Sequence, residues 1–479
     1  MPSTSAVAGK APILHLLAGP TLFLAALVVP FGMPYEARAA VGLLAWMAWW
    51  WVSAPVHLAV TALLPLATAA LFDFVSLDVV LPAYATNLIV LLLGANILAA
   101  AWIRWGLDRR IALTALLTVG TGKKRQILTW FAIAVALSTV LPNTIVAAAM
   151  MPIVVAMLRF IGVAELRESR FGTALGLAVA WGTSVGGLAT PLGGAPNLLT
   201  VSFIEESVTG REFLFMTWVT RMLPLTVTIA AVSFLYMMRA FQGEQGSVEG
   251  SREYFRKELR GLGAMSAPER WALALFVAAT AAAFTRELYA SFLPSFQPPF
   301  AFLTFALLCF VLRPGGEPVL RWEFAQGKIV WGLLYLFAGG AALGRTLSET
   351  GAARAIAELL VPYASGGGFV AVALFSLLAM AITQITSNTA AAAVTVPIAI
   401  TTFERAGLDP MPFVYIVAAA VNCGFALPSS AGGPAVSAGY GVNLRTMFTG
   451  GLALAGLVWI AILLVGFALA QWWPGFAAS

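Results

Sequence analysis

Two short runs of hydroxyl and amide side chains stand inside strongly apolar sequence. Thr386, Ser387, Asn388 and Thr389 lie near the start of QITSNTAAAAVTVPIAI (384–400), and Asn143-Thr144 lie in LPNTIVAAAMMPIVV (141–155). Polar groups at membrane depth must find partners, so such clusters are functional-site candidates by default. An Asn side chain offers a carbonyl oxygen and an amide donor together. A helix broken at the same point exposes unpaired N–H groups and a positive dipole end, which favour an anion. Adjacent free carbonyls and hydroxyls suit a hard cation such as sodium. No Lys or Arg lies within either run, so an anion there would be held by neutral donors, with bound cations compensating its charge. The competing reading is that Ser, Thr and Asn merely join helices; it explains one such cluster better than two in register.

The register is shared well beyond the two runs. In each, an Asn-Thr pair is followed nine positions after the Asn by a proline, Asn143 with Pro152 and Asn388 with Pro397. At the same offset of 245 (388 − 143), Ser138 matches Thr383, Gly94 matches Gly339, Gly106 matches Gly351, and Ile111-Ala112 matches Ile356-Ala357. The chain reads as a duplication.

The elements that must position these residues follow from composition. Hydrophobic residues make up 60% of the chain and charged residues 10%, far from the balance of a soluble domain. Many segments reach the roughly 20 apolar residues a helical crossing needs, so the chain reads as an all-α polytopic membrane protein. The formal charge of +6 reflects loop Lys and Arg rather than a nucleic-acid partner. Cys309 and Cys423 stand alone in apolar segments and read as buried core residues; His15 and His57 have no metal-ligand partner in sequence.

The first crossing is expected over 11–32, too long and too unlike a leader to be cleaved. A short pair follows at 39–53 and 56–72 around Pro55, with Trp46 and Trp49 to Trp51 as an interfacial belt, then a crossing at 84–103. GLDRRIALTALLT (106–118) reads as a helix lying in the interface. Pro142, Asn143 and Thr144 break 126–157 into two half-helices, and the Gly- and Pro-rich run Gly182 to Asn197 interrupts 171–207. Residues 213–240 complete the first half, and the charged stretch 241–269 reads as a solvated loop. The second half repeats the plan with crossings at 270–290, 297–313 and 328–346, an interfacial helix at 351–362 and a broken hairpin at 368–402. A crossing at 411–428 runs into irregular sequence to Gly441, and the last spans 447–472.

With the N-terminus cytoplasmic and about eleven transmembrane helices beside the two re-entrant hairpins, seven of the 27 Lys and Arg fall outside: Arg38, Arg211, Arg221, Arg286, Arg345, Arg354 and Arg405. The positive-inside asymmetry supports this orientation. It opens one hairpin to each side, an inverted repeat with paired broken helices, which points to a secondary transporter. The expected divisions are 1–125, scaffold helices and first interfacial helix; 126–240, first transport-domain half with the inner hairpin; 241–269, cytoplasmic loop; 270–362, second scaffold part; and 363–479, second transport-domain half with the outer hairpin. The expected location is a bacterial inner membrane. An enzyme has no support, since no nucleophile–base pair, HExxH, Cys/His set or phosphate loop with its Lys occurs.

These marks resemble the divalent anion/sodium symporter family, carriers of di- and tricarboxylates and sulfate: the paired SNT-like motifs, the GxxGGxPN-like loop and the loop after Leu427-Pro428. The resemblance covers nearly the whole chain. It implies an elevator-type transporter, a homodimer with a static scaffold and a moving transport domain, sodium ions as coupling ions and a small anionic substrate. It further implies one sodium site of Ser138, Asn143 and the Gly193 carbonyl, and a second of Thr383, Asn388 and carbonyls near Thr386 and Ser430. Asn143, Thr144, Asn388 and Thr389 would touch the anion, with the turns at Gly194 and at Ala431-Gly432 closing around it.

Three positions depart from that pattern. Pro142 stands where the family's SNT begins with a hydroxyl, Gly194 where a Ser or Thr meets substrate, and SSAGGPA where a Thr-Pro-Pro-Asn-like run is common. The lost hydroxyl keeps an anion exchanger of the same fold open as an alternative. A cation/proton antiporter is less well served, because Asp73, Asp78, Glu205 and Glu206 sit near helix ends rather than within a crossing.

Overall fold

A computed structural model describes residues 13–477 apart from 30–31, 118–121, 164, 245, 249 and 365. Residues 11–12 and 30–31 of the expected 11–32 segment and the last residue of the 106–118 segment fall outside the described residues. Everything regular among the described residues is helical, which is how a chain without water to bond its backbone satisfies it.

The helices of eight residues or more run in chain order. The first half holds α1 (Ile13–Val28), α2 (Tyr35–Ser53), α3 (Leu64–Phe72), α4 (Asn87–Trp105), α5 (Leu107–Leu116), α6 (Lys123–Ser138), α7 (Asn143–Phe160), α8 (Arg170–Gly186), α9 (Ala195–Ile204) and α10 (Phe215–Ala240). Then follow α11 (Ser251–Gly261), α12 (Ala267–Phe284), α13 (Pro298–Val311), α14 (Trp331–Glu349), α15 (Ala352–Leu360), α16 (Phe369–Ile385), α17 (Asn388–Arg405), α18 (Met411–Val421), α19 (Gly432–Gly439) and α20 (Leu444–Trp472). Among the described residues four segments are long and apolar enough to cross a membrane by length and composition, Leu77–Trp105, Asn143–Phe160, Phe215–Ala240 and Leu444–Trp472, and five apolar helical segments are shorter. Short helices are what a chain full of Pro and Gly interruptions must produce.

The repeat offset is visible as structure. α7 and α17 begin and end 245 residues apart, as the two Asn-Thr pairs require. Each carries an interior proline, Pro152 or Pro397, which removes one helical hydrogen bond and leaves the carbonyl four residues earlier free. The packing recurs as well. α5 packs on α7 and α15 on α17; α6 packs on α8 and α16 on α18. Gly106 and Gly351, both at positive φ (67° and 74°), make the turns that swing the chain into α5 and α15.

Two expectations need correction. The stretch 427–441, read as irregular, contains α19, which glycine content hid from a periodicity argument. The 241–269 segment is a solvated loop only in part. It contains α11, whose Phe255 is fully buried with its ring 6.1 Å from that of Trp130. Arg110 donates to the carbonyls of Leu262 and Gly263 and pairs with Glu269 at 2.9 Å. The buried cysteines bear out their reading as core residues, Cys309 and Cys423 being free and almost wholly enclosed.

Candidate functional site

The first Asn-Thr pair stands at a break four residues long, 139–142, between α6 and α7. Pro142 occupies the position before α7 in an extended conformation (ψ 135°) and gives no side-chain cap. Its carbonyl accepts from the N–H groups of Ile145 and Val146. The chain is therefore turned so that Asn143 reaches back toward the end of α6.

Ser138 Oγ, wholly buried, donates to Asn143 Oδ1 at 2.5 Å. The same end of the amide lies 2.9 Å from the carbonyls of Gly193 and Thr183. With nitrogen at that position the amide would share its two hydrogens among the Ser138 hydroxyl and both carbonyls. With oxygen there, several acceptors face one another, an arrangement a cation relieves. Ser138, Asn143 and Gly193 are thus brought together as expected, and the Thr183 carbonyl joins them. A Cβ on Gly187 would stand 2.5 Å from Asn143 Oδ1, so only glycine permits this approach.

The second pair stands at a break of two residues, Thr386 and Ser387. Here Ser387 caps α17 by accepting from Thr389 N at 3.2 Å. Thr383 donates to Asn388 Oδ1 and, at 2.8 Å, is directed also at the Val421 carbonyl. Asn388 Nδ2 donates to the Asn422 carbonyl at 3.3 Å, and Asn388 N to the Ser430 carbonyl at 3.0 Å. A Cβ on Gly424 would meet Asn388 Oδ1 at 2.6 Å, the counterpart of Gly187 beside Asn143. Thr383, Asn388 and Ser430 are therefore gathered. The Thr386 hydroxyl turns away and donates to the Trp51 carbonyl of α2 at 2.7 Å.

The residues expected to touch an anion are placed less uniformly. Thr144 is exposed, and Gly432 lies against its hydroxyl, so the start of α7 meets the start of α19. Ala431 precedes α19 in extended backbone. Thr389 is buried. Gly194 precedes α9 and is buried; a Cβ there would point inward, 3.0 Å from Asn422 Oδ1 and 3.3 Å from Asn197 Nδ2. A hydroxymethyl group at 194 would crowd this amide pair.

Several participants carried no earlier assignment. Gln384 Oε1 accepts from the N–H groups of Phe425 and Ala426, both at 3.0 Å, while its Nε2 donates to Cys423 O at 2.7 Å. That amide satisfies the unwound backbone after α18. In the first half a hydroxyl takes a comparable place: Thr190 Oγ1 donates to Thr139 O at 2.5 Å and accepts from Gly193 N at 3.1 Å. Trp181 Nε1 donates to Phe425 O at 3.0 Å, joining the halves. The available signal was simple: Gln384 and Asn422 are amides in apolar sequence, where any polar side chain needs a partner. Among the described residues no group of His, Cys, Asp and Glu is arranged to hold a metal.

Known proteins agree with this architecture. A family model described as citrate transporter matches residues 45–420. The chain is 29% identical over 473 residues to the sodium-dependent dicarboxylate transporter SdcS of Staphylococcus saprophyticus, covering 95% of this chain and 90% of that one. It is 28% identical over 472 residues to SdcS of Staphylococcus aureus, with the same coverage. Among solved structures the YdaH transporter of Alcanivorax borkumensis superposes with a TM-score of 0.55 at 12% identity, covering 92% of this chain and all of that one. This last likeness speaks to fold alone.

Proposed function

Because this chain belongs to the citrate transporter family, an integral-membrane group of transporters rather than enzymes, we propose that it is a secondary transporter of small dicarboxylate-class anions, coupled to sodium. The observation that carries the coupling is the site built twice. Ser138, Asn143 and the Thr183 and Gly193 carbonyls form one set of neutral oxygens, and Thr383, Asn388 and the Val421 carbonyl form the other. Hard oxygens without fixed charge suit sodium, whose positive charge then offsets that of a dianion arriving between the two pairs. Thr144, Asn143, Asn388 and Thr389 supply neutral donors to that anion, with Gly194 and Ala431-Gly432 as the turns around it. Thr386 contributes through its carbonyl, since its hydroxyl is engaged by Trp51. The relatives named for sodium-dependent dicarboxylate transport support the same ion and substrate class.

The movement in this reading is an elevator stroke of the two broken hairpins and their partners, related as an inverted repeat, against a scaffold that pairs in a homodimer. Polar ties between the two parts include the Thr386 hydroxyl on the Trp51 carbonyl and two ion pairs. Arg345 of α14 holds Glu206 with bonds of 2.8 and 3.0 Å, and Arg286 holds Glu212 at 3.0 Å. Near them a cavity of about 430 Å³ separates Leu88 and Leu91 of α4 from Leu198 and Val201 of α9. A stroke has to break the Glu206–Arg345 pair.

Uptake of labelled succinate into proteoliposomes, driven by a sodium gradient, a potassium gradient or a preloaded counter-anion, tests this function. Uptake driven by inward sodium alone is the expected result. Uptake that needs internal anion and ignores sodium would establish exchange instead.

A further inference from the structure

Between the two oxygen sets lies a pair of buried amides that neither set uses as a side-chain ligand. Asn197, from the start of α9, is fully buried, and Asn422, just after α18, is nearly so. Asn422 Nδ2 donates to Asn197 Oδ1 at 2.8 Å, across 225 residues of sequence. We infer that the Asn197–Asn422 pair couples the two cation sites, so that filling one raises the affinity of the other. The inference rests on the sodium-coupled reading above and deepens it.

The pair touches the framework of both sites. On one side, Asn388 Nδ2 donates to the Asn422 carbonyl at 3.3 Å, while Asn388 Oδ1 belongs to the second oxygen set. On the other, Asn197 Nδ2 donates to the carbonyls of Gly187 and Thr190, at 2.7 and 2.8 Å. Gly187 is the residue against which the Asn143 amide lies. Thr190 holds Gly193 N, and the Gly193 carbonyl belongs to the first set. A continuous path of hydrogen bonds and one tight contact therefore runs from Asn388 to Asn143.

Coupling also needs an element with two states that both sites bias. The Asn143 amide supplies it. Nitrogen facing inward shares its two hydrogens among the Ser138, Thr183 and Gly193 oxygens without a cation, and oxygen facing inward leaves the two carbonyls against a third acceptor, which a cation relieves. A cation bound to Asn388 Oδ1 draws that side chain and, through the Asn422 carbonyl, the amide pair. Asn197 then shifts the Gly187 backbone that sets the room available to Asn143. Asn197 and Asn422 act through other residues, so both are positioning residues.

The test measures sodium dependence of succinate uptake in proteoliposomes for wild type, Asn197→Ala, Asn422→Ala and the double variant. Wild type is expected to show a Hill coefficient for sodium near 2. Each single variant should bring it to about 1 and raise half-saturating sodium about tenfold, within the usual range of coupling between sites. The double variant should match the singles rather than multiply them, since both sever one path. Asn422→Leu, closer in volume to asparagine, repeats the measurement if an alanine variant fails to reach the membrane. Independent sites would show as single variants that keep the wild-type Hill coefficient, or as a double variant whose shift is the product of the two; either overturns the coupling. A wild-type Hill coefficient of 1 also removes it, whereas wild-type uptake indifferent to sodium removes the symport reading itself.

Discussion

The two hairpins share a skeleton and differ in how completely their polar groups are satisfied. At the second, Asn388 and Thr389 are buried, Ser387 caps α17, and the backbone break spans two residues. At the first, Asn143 is half-buried, Thr144 is exposed, Pro142 supplies no cap, and the break spans four. Gln384 clamps the unwound strand facing the second hairpin with three hydrogen bonds. At the first, the Thr190 hydroxyl ties the loop to Thr139 and the Asn197 amide holds the Gly187 and Thr190 carbonyls. The contrast teaches that a duplicated fold can keep one rigid, preorganised half and one adaptable half. Preorganised ligands give up less freedom on binding, so the second site is expected to hold its ion more tightly.

Substitution of the two asparagines should have the largest effect and bounds the comparison from above. Asn388→Ala and Asn143→Ala are each expected to abolish uptake while the protein still reaches the membrane. Each leaves buried partners unpaired at roughly 1–3 kcal/mol per group. Near-normal uptake by either variant would return its cluster to a helix-joining role.

Removing the hydroxyls sharpens the contrast. Thr383→Ala is expected to raise half-maximal sodium about tenfold, the cost of roughly one hydrogen bond to a charged group, and Ser138→Ala by less. Equal shifts measured in the same vesicles would show that the difference in burial carries no functional weight.

Restoring the missing hydroxyl should make the halves more alike. Pro142→Ser is expected to lower half-maximal sodium a few-fold, because a serine there can both cap α7, worth about 1 kcal/mol, and offer an oxygen to the first site. Proline also fixes φ, so the variant gains flexibility that works against the effect. Unchanged sodium dependence with transport intact would mean that position 142 only shapes the break.

The smallest perturbation tests which side of the membrane the entry of the first hairpin faces. Ser247 is exposed and bridges to Gly122 at the entry of the first hairpin. Ser247→Cys should leave uptake unchanged and resist an impermeant thiol reagent added outside intact cells. Rapid labelling from outside would reverse the orientation read from the charges.

Much of the site was legible because its signals are local. The prolines and Asn-Thr pairs announce the helix breaks, and Ser138–Asn143 and Thr383–Asn388 are five residues apart, within reach of one turn and a break. The offset of 245 then predicted the second site from the first, and α7 and α17 obey it at both ends. Apolar composition fixed the class, because only helices and closed barrels satisfy a backbone in lipid.

What the sequence could not disclose lies across long separations. The Thr183, Val421 and Asn422 carbonyls are backbone groups, identical in chemistry to every other carbonyl in the chain. Only the packing of α6 on α8 and of α16 on α18 selects them. Asn197 meets Asn422, and Trp181 meets Phe425, because packing brings α9 and α8 of the first half against the unwound backbone after α18. α19 and the docked α11 escaped for a related reason. Their formation is decided by neighbours such as Thr144 and Trp130, since isolated helices of 8 and 11 residues are marginal on propensity alone.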